Sequence, residues 1–505
     1  MIGLKRLVKG TSPVSTKGIS LKINGLTDDS RKVKPGNLFL AYEGVDVDGH
    51  SFIPEAIKRG AVAVVGEKPL KLSVSYVQVK DGRLALAQMW SNWYDNPEKK
   101  LKVIGVTGTD GKTTTATLIY ELLKAAGLKP GLISTVAARV GDTNLDTGFH
   151  TTSPDQDIFY GLLKKMVQAH CRYAIAEVTS HALAQKRYGN LNYEFGVLTN
   201  LAHDHLDYHG TLKNYRDAKG ILFTQSKTSI LNRKSLGYSY FRKVSRGQSF
   251  TYDRTKEIKD VGYLTHGSKV IQHFKVRYSG KWLDLKTRLL GDYNQENILA
   301  ALKVAERLHL SPGLVQKTIA TFRPPQGRFQ VIPNNRHLHV IVDFGHTEQG
   351  IAAILSLVRK HLMKEKERSI AVFGANGQRD RTKRPGMGHV ASKLADFVVI
   401  THEDPRNEDP GQIYEDIARG CRKGRGVLDK SYFRLDDRTR AINFALNKLA
   451  RPGDWIVILG KGHEQSMNIK GTEYPWSDIK VTKQILNGKI KKNGITRKGR
   501  GVSYN

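Results

Sequence analysis

The stretch from Lys102 to Thr115, Lys-Val-Ile-Gly-Val-Thr-Gly-Thr-Asp-Gly-Lys-Thr-Thr-Thr, sets the terms for the rest of the chain. A β-branched run, Val103 to Val106, breaks into a glycine-rich turn. An amphipathic helix then carries Ala116, Ile119, Leu122, Leu123 and Ala126 on one side. Gly108 and Gly111 let backbone N–H groups of the turn approach an anion, the helix N-terminus adds partial positive charge, and Lys112 supplies a mobile ammonium for terminal phosphates. Thr113 or Thr114 is then placed to hold Mg²⁺. The position five before Gly111 is Val106, so the stretch departs from the common GxxxxGK[ST] spacing. A lysine and three threonines straight after the last glycine are hard to account for by packing alone.

A chain of 505 residues is far beyond one core, and about 150 residues per domain predicts three. No apolar run approaches the roughly 20 residues that span a bilayer, and the long apolar stretch of a signal peptide is missing. A cytoplasmic protein without a membrane partner is expected. Cys171 and Cys421 are too few for a disulfide framework or zinc cluster, and are expected to be buried or bystanders. The net charge of +34 raises nucleic acid or an anionic membrane as a partner. Against this, Lys and Arg are spread over the whole length without a nucleic-acid-binding signature, so a nucleic-acid role is disfavoured and attraction for small anionic substrates is preferred. The run from Lys489 to Arg500 is the one dense basic segment, expected to be a disordered tail over 489–505.

Three α/β segments follow from the pattern of apolar runs and turns. Residues 1–98 read as a small α/β domain, with a polar turn at Thr27 to Lys32, a strand at Asn37 to Ala41, a helix over Pro54 to Arg59 and a strand at Ala61 to Val65. Residues 99–329 contain the phosphate-binding turn. A strand, Tyr173 to Val178, puts Glu177 at its carboxyl end, where ligands gather in open parallel sheets. Another, Phe195 to Asn200, leads into Leu201-Ala-His-Asp-His-Leu-Asp-Tyr-His209, where His203 and His205 would point to opposite faces if extended, so one of them is expected to reach an ion. Lys219 falls on a helix, where a lysine is normally a surface residue; desolvated, its amine would be neutral and reactive. Residues 230–290 alternate β-like runs with basic turns. Residues 330–488 form a second doubly wound unit, with strands at Val340 to Phe344, Ser369 to Gly374, Phe397 to Thr401 and Trp455 to Gly460, and polar clusters after each.

Taken together, these residues resemble the Mur ligase family, ATP-dependent amide-forming enzymes of peptidoglycan precursor synthesis, and within it the MurE type, UDP-N-acetylmuramoyl-dipeptide:amino-acid ligases. The likeness covers nearly the whole chain: Asp29-Ser-Arg31, Asp48-Gly49, GTDGKTTT at 108–115, Thr151-Thr152, EVTSHALAQKR at 177–187, HDHLDYHG at 203–210, Lys219, Asn297, Gly327-Arg328, Asp343 with His346-Thr347, GQRDRTKRP at 377–385, EDPRNEDP at 403–410 and GKGHE at 460–464. The resemblance implies three α/β domains: a UDP-binding domain, a central P-loop ATPase-like parallel sheet, and a C-terminal Rossmann-like domain. It implies that Gly108, Thr109, Asp110, Gly111, Lys112, Thr113, Thr114, Asn297, Arg328 and Asp343 bind ATP. Thr113, Glu177, His205 and a carbamylated Lys219 would hold Mg²⁺, with Lys112, Glu177, His205 and Lys219 as the catalytic set. Asp28, Ser30, Val45, Asp46, Val47, Thr151, Thr152, Thr179, Gln185 and Arg187 would hold the UDP-muramoyl-dipeptide. Arg379, Glu403, Asp404, Pro405, Arg406, Gly460 and Glu464 would recognise the incoming diamino acid. A monomer is expected.

Three departures bear on that reading. Glu403-Asp404-Pro405-Arg406 stands where diaminopimelate-adding relatives typically have Asp-Asn-Pro-Arg. Arg406 suits the distal carboxylate of meso-diaminopimelate, whereas a carboxylate at 404 could suit lysine. Thr179 replaces the usual Ser, and Asp343-Phe-Gly-His-Thr-Glu348 the usual DYAHTP. A same-fold ligase with another acceptor and a basic nucleic-acid-binding protein are the rival classes.

Overall fold

The computed structural model describes residues 1–44, 47–141, 143–145, 152–266 and 269–490. Val45, Asp46 and Thr151, and 491–505 of the expected tail, lie outside the described residues.

Apolar runs buried on both faces become the strands of three mainly parallel sheets. The first has the spatial order Pro13–Lys17, Ser75–Val79, Ala63–Gly66, Asn37–Leu40, Gly25–Thr27, with only its Pro13–Lys17 edge antiparallel. The second has eight strands: Thr143–Leu145, Ala138–Val140, Pro130–Ile133, Tyr173–Glu177, Lys102–Thr107, Tyr193–Leu198, Ser226–Asn232 and Gln248–Tyr252. In it the Lys102–Thr107 strand pairs in parallel with Tyr173–Glu177 on one side and Tyr193–Leu198 on the other. Chain segments leaving these strands diverge to both sides, which opens a crevice at their carboxyl ends.

Helix Lys112–Ala125 begins at the phosphate-binding turn, with Ala126 as its C-cap. The expected single apolar side is an underestimate, since every residue from Thr113 to Tyr120 is buried. Helix Asp292–Arg307 covers its outer flank, and both feed one core. The β-like runs after residue 257 make an antiparallel sheet, Ile258–His266, Lys269–Tyr278 and Lys281–Thr287, which drives Phe274, Val276 and Leu285 into that core. The helix Tyr238–Val244 was not expected from the sequence.

The third sheet runs Gln330–Val331, His339–Asp343, Trp455–Leu459, Ser369–Phe373, Phe397–Ile400, Tyr432–Arg434, antiparallel only at its first strand. A hairpin, Ser466–Ile469 with Thr472–Pro475, follows the central strand Trp455–Leu459. Arg438 and Asp478, both fully buried, form two hydrogen bonds of 2.8 and 2.7 Å, and Arg438 also donates to the Leu459 and His402 carbonyls. Charges this deep persist only when paired and hydrogen-bonded, so the pair pins helices Arg438–Phe444 and Asp478–Leu486 to one another on one face of the sheet. Cys171 and Cys421 are buried free thiols. Among the described residues no helix is long and apolar enough to cross a membrane.

Candidate functional site

A cavity of about 580 Å³ opens where the carboxyl ends of the second and third sheets face each other. Its floor is the glycine-rich turn, with Thr109 to Thr114 in the lining. Gly108 has φ +155° and Gly111 φ +81°, and a Cβ would fall 1.8 Å from Thr199 Oγ1 at the first and 2.2 Å from Asn297 Oδ1 at the second. Only glycine lets the turn pass this close to its neighbours. Asn200 Oδ1 accepts from the backbone N–H groups of Thr109 and Asp110 at 3.1 and 2.9 Å, which fixes the turn's shape. Lys112 Nζ folds back onto the carbonyls of Gly108 and Thr109, 2.9 and 2.8 Å away, a tether a phosphate can replace.

Glu177, 1% exposed, accepts from Thr135 N–H, Thr135 Oγ1 and Thr113 Oγ1, each at 3.0 Å. Burial raises its pKa, and the Lys112 ammonium opposes that shift. Arg328, from the connection into the third sheet, donates to Thr113 Oγ1 at 3.3 Å and lies over the Phe344 ring. Asn297 accepts from Thr115 Oγ1, and Asp343 accepts from the backbone N–H groups of Phe329 and Gly345. His205 stands in the cavity wall, but not on an extended segment: it has φ +54° and caps the short helix Leu206–His209. His203 instead turns to Thr382, so one of the two histidines faces the cavity.

Lys219 is the desolvated lysine of the two alternatives that its helix left open. It is 1% exposed because helix Leu212–Thr224 lies beneath the turn. Its Nζ donates to the Gly108 carbonyl at 2.9 Å, 4.4 Å from the Tyr215 ring centre. Burial, then the nearby Lys112 charge, push its pKa well below the ordinary lysine value, which favours the neutral amine.

Burial also pushes His181 down to about 4 and His463 to about 3, from an ordinary 6.5. The unfolded chain therefore takes up these protons first as pH falls. Their stabilising contribution is complete above pH 6.5 and is lost as pH falls, over a window that ends at about 4 for His181 and about 3 for His463. The thermal unfolding midpoint is expected to drop across that window, and His181→Gln to flatten the drop. A midpoint equally steep in the variant would contradict the assignment to His181.

The third sheet supplies the opposite wall. Arg379, Asp404, Arg406 and Glu464 line it. Asp404 Oδ1 accepts from Lys461 Nζ at 2.8 Å and from the Asn468 N–H at 3.0 Å, and Lys461 also pairs with Glu464. Arg406 has φ +52°, and among the described residues no side chain hydrogen-bonds its guanidinium, which borders the cavity. Glu403 and Pro405 sit behind this wall, with Glu403 Oε2 against Gly460, whose φ is +105°. Thr347 Oγ1 donates to Asp110 Oδ2 at 3.3 Å, joining the two walls. Thr347 also caps the helix that starts at Glu348, where an acidic first-turn residue replaces the usual proline without loss.

Thr152 and Thr179 reach the cavity, and Thr179 caps helix Ser180–Ala184. Gln185 and Arg187 bond to each other beside it. Asp28 accepts from Tyr42 at 3.0 Å and feels Asp155, which Arg187 pairs with. Ser30 is buried against Glu55 and Val47 is exposed, so neither is brought to the cavity. Thr135, Asn200 and Lys461 were missed. The first two follow strand ends, the same position that singled out Glu177, and the third lies inside GKGHE.

The sequence matches three family descriptions in order: "Mur ligase family, catalytic domain" over 22–94, "Mur ligase middle domain" over 106–305 and "Mur ligase, glutamate ligase domain" over 327–462. A relative from Aquifex aeolicus, named UDP-N-acetylmuramoyl-L-alanyl-D-glutamate--2,6-diaminopimelate ligase, is 39% identical over 92% of this chain and 94% of its own. A solved structure with the same ligase name is 27% identical, with TM-score 0.65 over 97% of this chain and 99% of that one. A MurF ligase from Thermotoga maritima, solved in complex with ADP, shares the fold at 17% identity, with TM-score 0.60 over 93% and 98%. With this identity sustained along almost its full length, the chain belongs to the Mur ligase family.

Proposed function

We propose that the chain is an ATP-dependent acid–amino-acid ligase that adds meso-diaminopimelate to the terminal carboxylate of UDP-N-acetylmuramoyl-L-alanyl-D-glutamate, in the supply of peptidoglycan precursor. The observation that carries this reading is one cavity with the glycine-rich turn and Lys112 at one wall and, at the other, the Arg406 guanidinium, which no side chain hydrogen-bonds among the described residues. We take the three functional units to be 1–98, 99–329 and 330–488, acting as a monomer in the cytoplasm.

In this reading the ATP phosphates lie on the turn from Gly108 to Thr114, near Asn297, Arg328 and Asp343. A carboxylate oxygen of the substrate attacks the γ-phosphorus, the bond from that phosphorus to the β–γ bridging oxygen breaks and ADP leaves, and Lys112 and Arg328 disperse the charge that develops. The resulting acyl phosphate is held between the two walls, and the amine of the second substrate attacks its carbonyl as phosphate leaves. Closed walls exclude water, which would otherwise hydrolyse the acyl phosphate. Thr113, Glu177 and His205 would hold Mg²⁺, which supplies neutralising charge to the phosphates. Among the described residues no group of three or more His, Cys, Asp or Glu side chains is arranged to hold a metal ion by itself. So few protein ligands suit an ion that keeps water and phosphate oxygens around it. Lys219, a buried amine hydrogen-bonded to the Gly108 carbonyl, with its pKa pushed down by burial, is the residue we assign to the carbamate; an isotope-labelled CO₂ resonance lost in Lys219→Arg would test it.

Diaminopimelate is favoured over lysine by Arg406, whose guanidinium borders the cavity and suits a distal carboxylate, and by Lys461, whose ammonium on Asp404 Oδ1 offsets the charge that a lysine ammonium would seek. The decisive experiment is phosphate release from ATP with the UDP-dipeptide and a panel of amino acids. Turnover is expected only when the UDP-dipeptide and diaminopimelate are both present. Equal turnover without the UDP-dipeptide would replace this reading with a ligase of another acceptor.

A further inference from the structure

The loop that follows strand Tyr193–Leu198 grips the loop that precedes helix Arg384–Leu394. At the centre of the grip Lys383 Nζ lies 3.0 Å from Asp204 Oδ1, their side chains 9% and 4% exposed. His346, from a third element, backs the pair with its Nε2 3.7 Å from Asp204 Oδ2. Two contacts guard the rim. His203 Nε2 meets Thr382 Oγ1 at 3.1 Å and Asp380 Oδ2 at 3.3 Å, and Arg379 reaches Asp207 at 3.4 Å. Residues 203–207 thus mesh with residues 379–383 in three places, and each contact joins the second sheet's unit to the third's. A carboxylate this deep is costly without its counter-ion, so removing Lys383 penalises the closed arrangement far more than losing a surface contact would. His205, next in sequence, keeps a left-handed conformation that a non-glycine residue holds only where its surroundings impose it.

We infer that Lys383 is a positioning residue: through Asp204 it clasps the two units together, setting the width of the cavity and the placement of His205. Its effect on turnover rests on the ligase reading above. Its effect on closure does not.

Lys383→Met removes the ammonium at nearly constant length. Small-angle scattering of the substrate-free protein is expected to give a larger radius of gyration than wild type, and kcat for phosphate release to fall about a hundredfold. The double variant Asp204→Asn/Lys383→Met, which strands no charge, is expected to recover the compact form and part of the lost rate. A merely structural lysine would give losses that multiply in the double variant. That outcome, or unchanged scattering in Lys383→Met, overturns the clasp. Should Lys383→Met fail to fold, His203→Ala at the exposed rim serves, with a smaller expansion expected and none overturning. Scattering that responds as expected in a protein inactive on the UDP-dipeptide would refute the ligase reading and leave the clasp intact; normal ligation with unresponsive scattering would do the reverse.

Discussion

Lys112→Ala is expected to cut ATP turnover by about a thousandfold while leaving the fold in place. Among the described residues the ammonium hydrogen-bonds the Gly108 and Thr109 carbonyls alone, and both belong to a turn whose shape is set independently by Asn200. Little structure is lost with it. What disappears is the one mobile cation at the mouth of the helix Lys112–Ala125, where charge builds up as the γ-phosphoryl group moves. Phosphate release and a thermal unfolding curve on the same sample check both halves. Turnover close to wild type would remove the phosphate role from this turn and, with it, the basis of the mechanism.

The second large effect concerns the choice of amino acid. Arg406→Ala is expected to raise the KM for diaminopimelate about a hundredfold, since a bidentate pair with a carboxylate comprises two charge-assisted hydrogen bonds worth about 1.5–3 kcal/mol each, partly regained through water. Lysine, without the distal carboxylate, has nothing to lose, so the preference between the two should largely vanish. Asp404→Asn is the contrasting case. Its oxygen can still accept from Lys461 and from the Asn468 N–H, so the preference for diaminopimelate is expected to survive. If Asp404→Asn instead abolishes lysine use by an enzyme that prefers lysine, the roles given to residues 404 and 406 are reversed.

The parts of the site legible in the sequence are those whose chemistry is local. A strand end, a glycine pair and a lysine at a helix start can be read from neighbours in the chain, which is why the turn at 108–114 and Glu177 come together as expected. The four main strands of the third sheet were legible for the same reason, as short apolar runs bounded by polar clusters. Long-range packing was not legible. Nothing around Lys219 announces that Gly108, 111 residues earlier, will lie over it and keep water out. Asp204 and Lys383 are 179 residues apart, and Asp404 looks like a free carboxylate until Lys461 is folded against it. The hairpin at 466–475 and the edge strands are short and half exposed, so their patterns carry little apolar signal.

The central position of strand Trp455–Leu459 also dictates when the third unit can form during synthesis. Its sheet partners, His339–Asp343 and Ser369–Phe373, leave the ribosome long before it does, with an unfilled slot between them. Arg438 likewise emerges ahead of Asp478, the carboxylate that neutralises it. The nascent unit must therefore wait for nearly its whole length before it can fold cooperatively. A message cut short upstream of residue 478 would release a chain with open sheet edges and an uncompensated guanidinium, a substrate for proteases rather than a shortened enzyme.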